Sequence, residues 1–331
     1  DDCFVLSSHD DEYSLYHHFT TALQKAWDVE DEGPVNDLLN VEITRVGSNV
    51  ILRQTAYIKK LLATYLEDGL IPPSHQSCKT PCDESLPLAV AEALAQDAAN
   101  VDPVLLKKYQ SLVGALLYCA VNTRPDVAYS VGYLCRAMGK PTDELYEAAL
   151  RVLYYLGRHS EVGLNYQGDD LAASGMTDSD WSVKHSTSGF VFRLSQAAIS
   201  WGSKRQPTVA LSSCEAELMA ASEAAKEAAF LRDYLQELGV GDDSPMKLAM
   251  DNQAGRDLAY SPEHHSKTKP IQRRHYFVRE MVEDFRITVP FVGTDDNDAD
   301  FFTKVHKGPK FFALRDRIMN IPPDQRLCHR A

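Results

Sequence analysis

Apolar and polar positions in the second half of the chain follow two different periods. Alternation with a period of two predicts strands, and apolar residues at every third or fourth position predict helices. The predicted strands are residues 172–177, 189–194, 198–204, 246–250 and 287–292, and the predicted helices are residues 215–238, 253–260, 271–285 and 299–318. Because three strands come first and helices then alternate with strands, the pattern predicts a mixed α/β sheet with helices packed on its faces.

The first half of the chain has a less regular pattern. Short strand and helix signals alternate there, at residues 3–6, 10–27, 39–45, 50–54 and 57–65. Residues 67–103 contain scattered proline and serine and an acidic, alanine-rich stretch, which predicts a linker. Residues 104–159 are predicted to be helical.

The chain has 331 residues and a net charge of −13. This length predicts about two domains, each large enough to bury a core of its own. The acidic balance argues against a protein that coats nucleic acid by bulk electrostatics, but local basic clusters remain. Candidate nucleic-acid contacts in these clusters are Lys204, Arg205, Lys269, Arg273, Arg274 and Lys304. Solvated helix and loop faces would explain any single cluster equally well.

Cysteine usage and apolar run lengths narrow the class further. The seven cysteines are odd in number and irregularly spaced, which is typical of reduced intracellular thiols and does not indicate a zinc site. The longest uninterrupted apolar runs are shorter than the roughly 20 residues that cross a bilayer, so no membrane partner is expected. Trp181 and Trp201 are expected in the core. The chain opens on Asp1 within a strand signal, and we expect it to be part of something longer.

Four short acidic segments carry the candidate chemistry. They are residues 177–181, 213–218, 249–253 and 298–302, and each lies where a predicted strand ends or a predicted helix begins. Four converging carboxylates repel one another unless cations lie between them. Two divalent ions about 4 Å apart suit phosphodiester hydrolysis, because one activates water and the other stabilises the leaving oxygen. The sequence therefore predicts a metal-dependent nuclease.

Helix and strand geometry selects among these acids only in part. Glu217 continues the apolar stripe of its helix and is predicted to face inward, whereas Glu215 suits the first turn, where the helix dipole favours an acid. Asp178 and Asp180 share one face of a strand, and alternation does not choose between them. Asp251 precedes a helix and could equally serve as its N-cap.

The fourth acidic segment is the least specific of the four. Asp300 ends a run of acids before the last predicted helix. Helix capping would explain any of the three earlier acids in that run, Asp295, Asp296 and Asp298. The joint spacing of the four segments along the predicted sheet is stronger evidence than any one of them.

Several long motifs resemble one known family. STSGF at 186–190, ISWGSKRQ at 199–206, VALSSCEAEL at 209–218, MDNQ at 250–253, HSKTK at 265–269 and ADFFTK at 299–304 are similar to the ribonuclease H domain of copia-type retrotransposon Pol polyproteins. Upstream, YQSLVGALLY at 109–118 and TRPDVAYSVG at 123–132 resemble the segment that joins reverse transcriptase to that domain. DDCFVL at the start, LLNVEI at 38–43, QTAYIKKLL at 54–62 and KTPCD at 79–83 resemble the end of the reverse transcriptase itself.

The resemblance implies a fold for each region. Residues 1–85 would be the C-terminal remnant of a reverse transcriptase, with the end of its palm and its thumb. Residues 86–162 would form a linker and a helical connection. Residues 163–320 would form a ribonuclease H-like domain with a mixed five-stranded sheet. Asn40 stands where the family usually has glycine.

The resemblance also implies the site and its substrate. The implied metal ligands are Asp178, Glu217, Asp251 and Asp300, which would hold two Mg²⁺ ions, with Mn²⁺ as a possible substitute. The substrate would be an RNA–DNA hybrid, of which the RNA strand is cut. Asp1 and Asp2 would be metal ligands of an incomplete polymerase that does not act alone. The expected partner is the remainder of the Pol polyprotein, and the expected location is intracellular, in a cytoplasmic virus-like particle or the nucleus.

Two alternatives remain open at this point. A non-catalytic remnant or co-opted scaffold would keep the fold without cleaving, although intact acids at all four places weigh against it. Another nuclease of the same broad fold, such as an integrase core, would need a different pattern of acids and usually a zinc-binding segment, which the sequence does not contain.

Overall fold

The fold was determined as a computed structural model. The described residues are Val5 and residues 15–72, 79–97, 101–168, 171–182, 185–241, 243–260 and 269–326, with the side chains of residue 258 and residues 269–275 excepted. The predicted strand at residues 3–6 lies outside this part apart from Val5, as do Asp1 and Asp2.

The N-terminal region forms a small antiparallel sheet. Its first elements are helix α1 (Leu15–Ala26), strands β1 (Asp37–Leu38), β2 (Val41–Val46) and β3 (Asn49–Arg53), and helix α2 (Thr55–Tyr65). Strand β4 (Leu164–Tyr166) pairs with β3 and completes the order β1-β2-β3-β4. Leu39 and Asn40 have φ values of 53° and 61° in the turn between β1 and β2. This left-handed conformation favours glycine and also tolerates asparagine, the residue at position 40.

A helical layer follows the small sheet. Its elements are a 3-10 helix at Glu67–Gly69 and helices α3 (Leu86–Ala95), α4 (Pro103–Asn122), α5 (Ala128–Cys135) and α6 (Asp143–Arg158). The sequence pattern missed α3, which lies inside the predicted linker. Leu86, Ala89, Val90 and Ala93 are buried, because their spacing places them on one face of the helix. Their burial holds this segment against α5 and α6.

Helix α4 is long and apolar, and part of its surface is buried inside the protein. Its length and apolar composition are sufficient for a membrane span. Its residues Leu112, Val113 and Leu116 are nevertheless fully buried against neighbouring elements of the first core. In this structure the apolar face of α4 is therefore used for packing inside the protein.

A buried ion pair explains part of the TRPD motif. Arg124 donates from Nε and Nη2 to the two carboxylate oxygens of Asp126, at 2.9 and 2.7 Å. Asp126 also accepts the hydroxyl of Tyr155 at 2.6 Å, and Arg124 donates to the carbonyl of His159 at 2.9 Å. This network joins the segment after α4 to α6 in the interior of the helical layer.

The C-terminal sheet has the predicted mixed five-stranded architecture. Its strands are β5 (Ser174–Asp180), β6 (Thr187–Leu194), β7 (Ala197–Arg205), β8 (Met246–Met250) and β9 (Ile287–Thr288). Their order is β7-β6-β5-β8-β9, in which β7, β6 and β5 are antiparallel and β8 and β9 continue parallel to β5. The last strand is shorter than predicted because Pro290 interrupts its ladder, although Phe291 still forms an isolated bridge to Met250.

Helices pack on the sheet as the sequence pattern predicts, with one correction. The helices are α7 (Ser213–Glu237), α8 (Gln253–Tyr260), α9 (Lys269–Glu283) and α10 (Gly308–Ile318). The pattern predicted a single helix over residues 299–318. The structure instead has a 3-10 helix at Asp298–Phe302 and a separate α10, which begins at Gly308 with Pro309 in its first turn.

The sheet separates two hydrophobic cores. Val191 and Ala198 belong to the first core with α2–α6 and α10, whereas Phe190 and Phe192 belong to the second core with α7. Successive residues of a strand point to opposite faces, so β6 serves both cores. The first core crosses the predicted boundary at residue 163, since α10 packs with the helical layer. The domain boundaries stay a prediction.

The two tryptophans differ in burial. Trp201 is half-buried against the first core, and its Nε1 donates to the carbonyl of Ala120 at 2.8 Å. The prediction that Trp181 lies in the core is wrong, because 61% of this residue is exposed. Trp181 directly follows the end of β5, where the chain leaves the sheet.

Candidate metal centre

Asp178 lies near the end of strand β5 and is almost fully buried. The hydroxyl of Thr303 donates to its Oδ2. Gly189 is the cross-strand partner of Asp178, and a Cβ at Gly189 would come within 2.7 Å of Thr303 Cγ2. The absence of a side chain at Gly189 therefore lets the 3-10 helix and Thr303 approach Asp178. Asp180, which the sequence could not separate from Asp178, accepts the backbone N–H of Thr187 instead.

Glu217 projects from the buried face of α7. The helix begins at the cap Ser212, whose hydroxyl accepts the Glu215 N–H at 3.1 Å, and the Glu215 carboxylate accepts the Leu211 N–H at 2.6 Å. Glu215 thus stabilises the helix start, which confirms its interpretation as a first-turn acid. Glu217 is buried, and its Oε2 has no hydrogen-bond partner among the residues that the structure describes. The helix-face prediction for Glu217 is confirmed.

Asp251 follows β8 directly and is half-buried. The N-cap alternative does not apply to it, because the side chain of Asn252 accepts the Gly255 N–H at 2.8 Å at the start of α8. The Asp251 carboxylate is therefore available for another partner.

These three acids converge although they come from three separate elements. One carboxylate oxygen from each of Asp178, Glu217 and Asp251 lies within 4.8 Å of the other two. The parallel pairing of β5 and β8 brings Asp178 and Asp251 to the same end of the sheet, and α7 brings Glu217 over that end. Oxygen donors at this spacing, one of them left without a partner, fit a hard divalent cation such as Mg²⁺ or Mn²⁺.

Burial and mutual repulsion perturb two of these acids. Burial raises the pKa of Glu217 to about 8, and the neighbouring carboxylates of Asp178 and Asp251 act in the same direction. Burial also raises the pKa of Asp178 to about 6, although Lys304 and the hydroxyl of Thr303 oppose this change. Without a cation, Glu217 is therefore expected to retain a proton at neutral pH that a bound divalent ion would displace.

Asp300 lies beside the three-acid cluster but has a different environment. It is buried in the 3-10 helix at Asp298–Phe302 and accepts the ammonium groups of Lys304 at 2.5 Å and Lys310 at 2.9 Å. Burial would raise its pKa, but the hydrogen bonds from the two lysines outweigh burial and lower it. Lys304 Nζ is also 3.8 Å from Asp178 Oδ2. A lysine thus lies between the fourth predicted acid and the first.

The segment that carries Asp300 is fixed by residues that sequence reasoning missed. Asn297 caps it by accepting the Ala299 N–H at 3.1 Å, and Asn297 Nδ2 donates to the carbonyl of Thr177 at 3.1 Å. Asp298, which the sequence suggested as a cap, instead forms ion pairs with Arg193 and Arg317. An asparagine before two acids was the available signal for the cap, whereas the arginine partners lie too far away in sequence to be recognised.

The candidate nucleic-acid contacts fall into three groups. Lys204 and Arg205 are exposed at the end of β7 and line a pocket of about 180 Å³, together with the buried Gln206. Lys304 contacts the acids as described above. Lys269, Arg273 and Arg274 lie in the first turns of α9, and their side chains are outside the described part of the chain. Asp1 and Asp2 are outside it as well. The roles of all these residues stay predictions.

The chain was compared with known proteins. No protein-family model matches it. It is 35% identical over 304 residues to the retrovirus-related Pol polyprotein from transposon TNT 1-94 of Nicotiana tabacum, covering 89% of this chain and 22% of that protein. It is 31% identical over 219 residues to a putative transposon Ty5-1 protein of Saccharomyces cerevisiae, covering 64% of this chain and 68% of that protein. The chain spans about a fifth of the length of the Pol polyproteins it matches.

Part of the chain also aligns with a solved structure. RNase H1 from the halophilic archaeon Halobacterium salinarum NRC-1 aligns with 40% of this chain and 93% of its own chain, at 18% identity and a TM-score of 0.31.

Proposed function

Because this chain belongs to the retrovirus-related Pol polyproteins of transposons, we propose that its C-terminal region hydrolyses the RNA strand of RNA–DNA hybrids. The reaction is an endonucleolytic, metal-dependent cleavage of phosphodiester bonds. Asp178, Glu217, Asp251 and Asp300 are the proposed ligands of two Mg²⁺ ions. Mn²⁺ is the expected substitute, since it also prefers oxygen ligands.

One observation carries the proposal. Oxygens of Asp178, Glu217 and Asp251 lie within 4.8 Å of one another, and Glu217 Oε2 is buried without a partner among the described residues. Three buried or half-buried carboxylates at this distance repel one another and destabilise the folded protein unless a bound cation compensates them. Ser179 hydrogen-bonds to the Glu217 carboxylate, yet Oε2 stays without a partner in the described part of the chain. A purely structural role for Glu217 would be expected to leave both oxygens paired, because an unpaired buried polar atom is costly.

Different residues would hold the ions, orient the ligands and contact the substrate backbone. Bound divalent ions would supply an activated water and stabilise the leaving 3′ oxygen. Asp178 lies at the centre of the acids, and the Thr303 hydroxyl fixes its orientation. Lys204 and Arg205, exposed at the same end of the sheet, would contact the backbone of the hybrid without sequence preference.

A hybrid-cleavage assay with Mg²⁺ tests this proposal. We expect the wild-type chain to cut the RNA strand of a labelled hybrid and Asp251→Asn to lose activity by about 100-fold or more, as is usual when a main source of transition-state stabilisation is removed. Asp257→Asn, which changes an exposed acid on α8, is the matched control and should retain activity. Equal background rates for the wild type and Asp251→Asn would favour the non-catalytic remnant.

The proposal extends to the context of the chain. The N-terminal region is proposed to be part of the reverse transcriptase, with Asp1 and Asp2 among its metal ligands. The remainder of the Pol polyprotein is the proposed partner. An intracellular location, in a virus-like particle or the nucleus, is proposed from the same family membership.

A further inference from the structure

The ammonium of Lys304 lies between two of the four proposed ligand carboxylates. Its Nζ is 2.5 Å from Asp300 Oδ1 and 3.8 Å from Asp178 Oδ2. Both carboxylates are buried, whereas 45% of the Lys304 side chain is exposed. A flexible cation on a four-carbon stem therefore bridges two fixed anions.

We propose that Lys304 is a displaceable internal cation that holds the space between Asp178 and Asp300 until a divalent ion takes it. This inference rests on the proposed function, because it concerns the same acids. It assigns Lys304 to the regulation of metal binding, a role separate from that of the four ligands. It makes the two ion positions unequal in affinity.

The first ion position does not require Lys304 to move. Asp178, Glu217 and Asp251 offer converging oxygens, and Glu217 Oε2 has no partner to lose in the part of the chain that is described. An ion there relieves the repulsion among the three acids without breaking an existing ion pair. This position is expected to fill first.

The second ion position requires an exchange. Asp178 and Asp300 would hold a second ion only in the space that the Lys304 ammonium now occupies, so binding there would cost the Lys304–Asp300 ion pair. Thr303 holds the backbone next to Lys304 against Asp178, so only the side chain needs to swing outward. Once it leaves, the ammonium lies at the exposed edge of the site, where it can contact a phosphate of a bound hybrid.

Lys310 provides the internal comparison. It donates to Asp300 Oδ2 at 2.9 Å and is exposed to a similar extent, 47% against 45% for Lys304. Lys304 differs because its ammonium also faces Asp178. Replacing either lysine removes one positive charge that contacts Asp300. Only the replacement of Lys304 also empties the space between Asp178 and Asp300.

The test is a titration of the full chain, freed of metal, with Mn²⁺ alone, followed by calorimetry and by the electron paramagnetic resonance of free Mn²⁺. The wild type is expected to show one tighter and one weaker class of site. Lys304→Met should tighten the weaker class by about tenfold or more, since a unit charge about 4 Å away is removed. Lys310→Met should tighten it much less, and Lys304→Arg should resemble the wild type.

The outcomes separate this inference from the proposed function. The role of Lys304 would be overturned if Lys304→Met left the Mn²⁺ affinity of the weaker class unchanged. It would also be overturned if Lys304→Met and Lys310→Met raised that affinity equally. In both cases the tighter class of site would remain, and with it the three-acid site. No Mn²⁺ binding in any variant, together with no hybrid cleavage, would overturn both. If Lys304→Met fails to unfold cooperatively in chelator, Lys304→Gln makes the same comparison.

Discussion

At the scale of single residues, Glu215 and Glu217 show how two acids in one helical turn acquire different tasks. Glu215 accepts a backbone N–H at the helix start, whereas Glu217 points into the cluster with one oxygen unpaired among the described residues. The difference follows from the roughly 200° that two residues span on a helix. Helix geometry could therefore identify Glu217 before its partners were known.

The raised pKa of Glu217 predicts a pH dependence of stability in the metal-free protein. Its folded pKa of about 8 exceeds its ordinary value of 4.5, so the folded state binds the proton more tightly than the unfolded state. The resulting stability is fully present below about pH 4.5 and is lost as the pH rises through 8. We expect Glu217→Gln to remove this loss, so that in chelator the variant gains about 3 kcal/mol relative to the wild type between pH 5 and pH 8.

Urea unfolding in chelator at the two pH values measures this change. Glu215→Gln is the control, because its carboxylate lies outside the cluster. If the wild type and Glu217→Gln lose the same free energy of unfolding between pH 5 and pH 8, the burial of a protonated Glu217 is ruled out.

Gly189 predicts a steric effect on the same site. An alanine Cβ would lie 2.7 Å from Thr303 Cγ2 and 2.9 Å from the carbonyl oxygen of Ala299, so the 3-10 helix would have to shift. We expect Gly189→Ala to lower the free energy of unfolding by about 1–3 kcal/mol, as overpacking usually does. Gly114→Ala in α4 is the control, since its Cβ would meet nothing within 4 Å and alanine favours helices. Thermal unfolding that ranks Gly114→Ala below Gly189→Ala would contradict this account.

At the scale of elements, the Arg124–Asp126 pair connects the end of α4 to α6. Both side chains are excluded from solvent. Asp126→Asn would leave the Arg124 charge buried without its counter-ion, which typically costs about 3–5 kcal/mol. Chemical denaturation of Asp126→Asn should show this loss, whereas Glu223→Gln, which breaks the exposed pair with Lys226, should cost less than about 1 kcal/mol. Similar losses in the two variants would mean that Arg124 finds another partner.

Helix α3 illustrates the limit of element prediction from composition. Alanine and proline around residues 86–95 indicated a linker, yet four apolar residues at helical spacing are buried against α5 and α6. A short segment whose two faces differ little in polarity forms a helix here because α5 and α6 offer an apolar surface for it to pack on. These two helices begin at Ala128 and Asp143, so local patterning around residues 86–95 does not contain that surface.

At the scale of the whole molecule, α10 packs with the helical layer as well as beside the C-terminal sheet. Phe311, Phe312 and Ile318 belong to the first core with residues of α4 and α6. A fragment of residues 163–326 would therefore expose these side chains. We expect this fragment to bind a hydrophobic dye and to unfold at a lower temperature than residues 101–326. Equal dye binding and equal thermal stability would support an independent domain from residue 163.

The sequence by itself determined whatever depends on near neighbours. Alternation along β5–β8 determined the mixed sheet, and the stripe on α7 determined the inward face of Glu217, because both follow from fixed helix and strand periods. The motifs determined the family. Local geometry did not decide whether Asp178 or Asp180 belongs to the site. It also did not decide whether Asp251 is a site residue or a helix cap.

Only the tertiary structure decided which groups meet across the chain. Thr303 reaches Asp178 over 125 positions, and Asn297 reaches Thr177 over 120. The same packing placed Lys304 between Asp178 and Asp300. Such contacts depend on how the sheet, the 3-10 helix and α10 pack together, and no local period in the sequence encodes that arrangement.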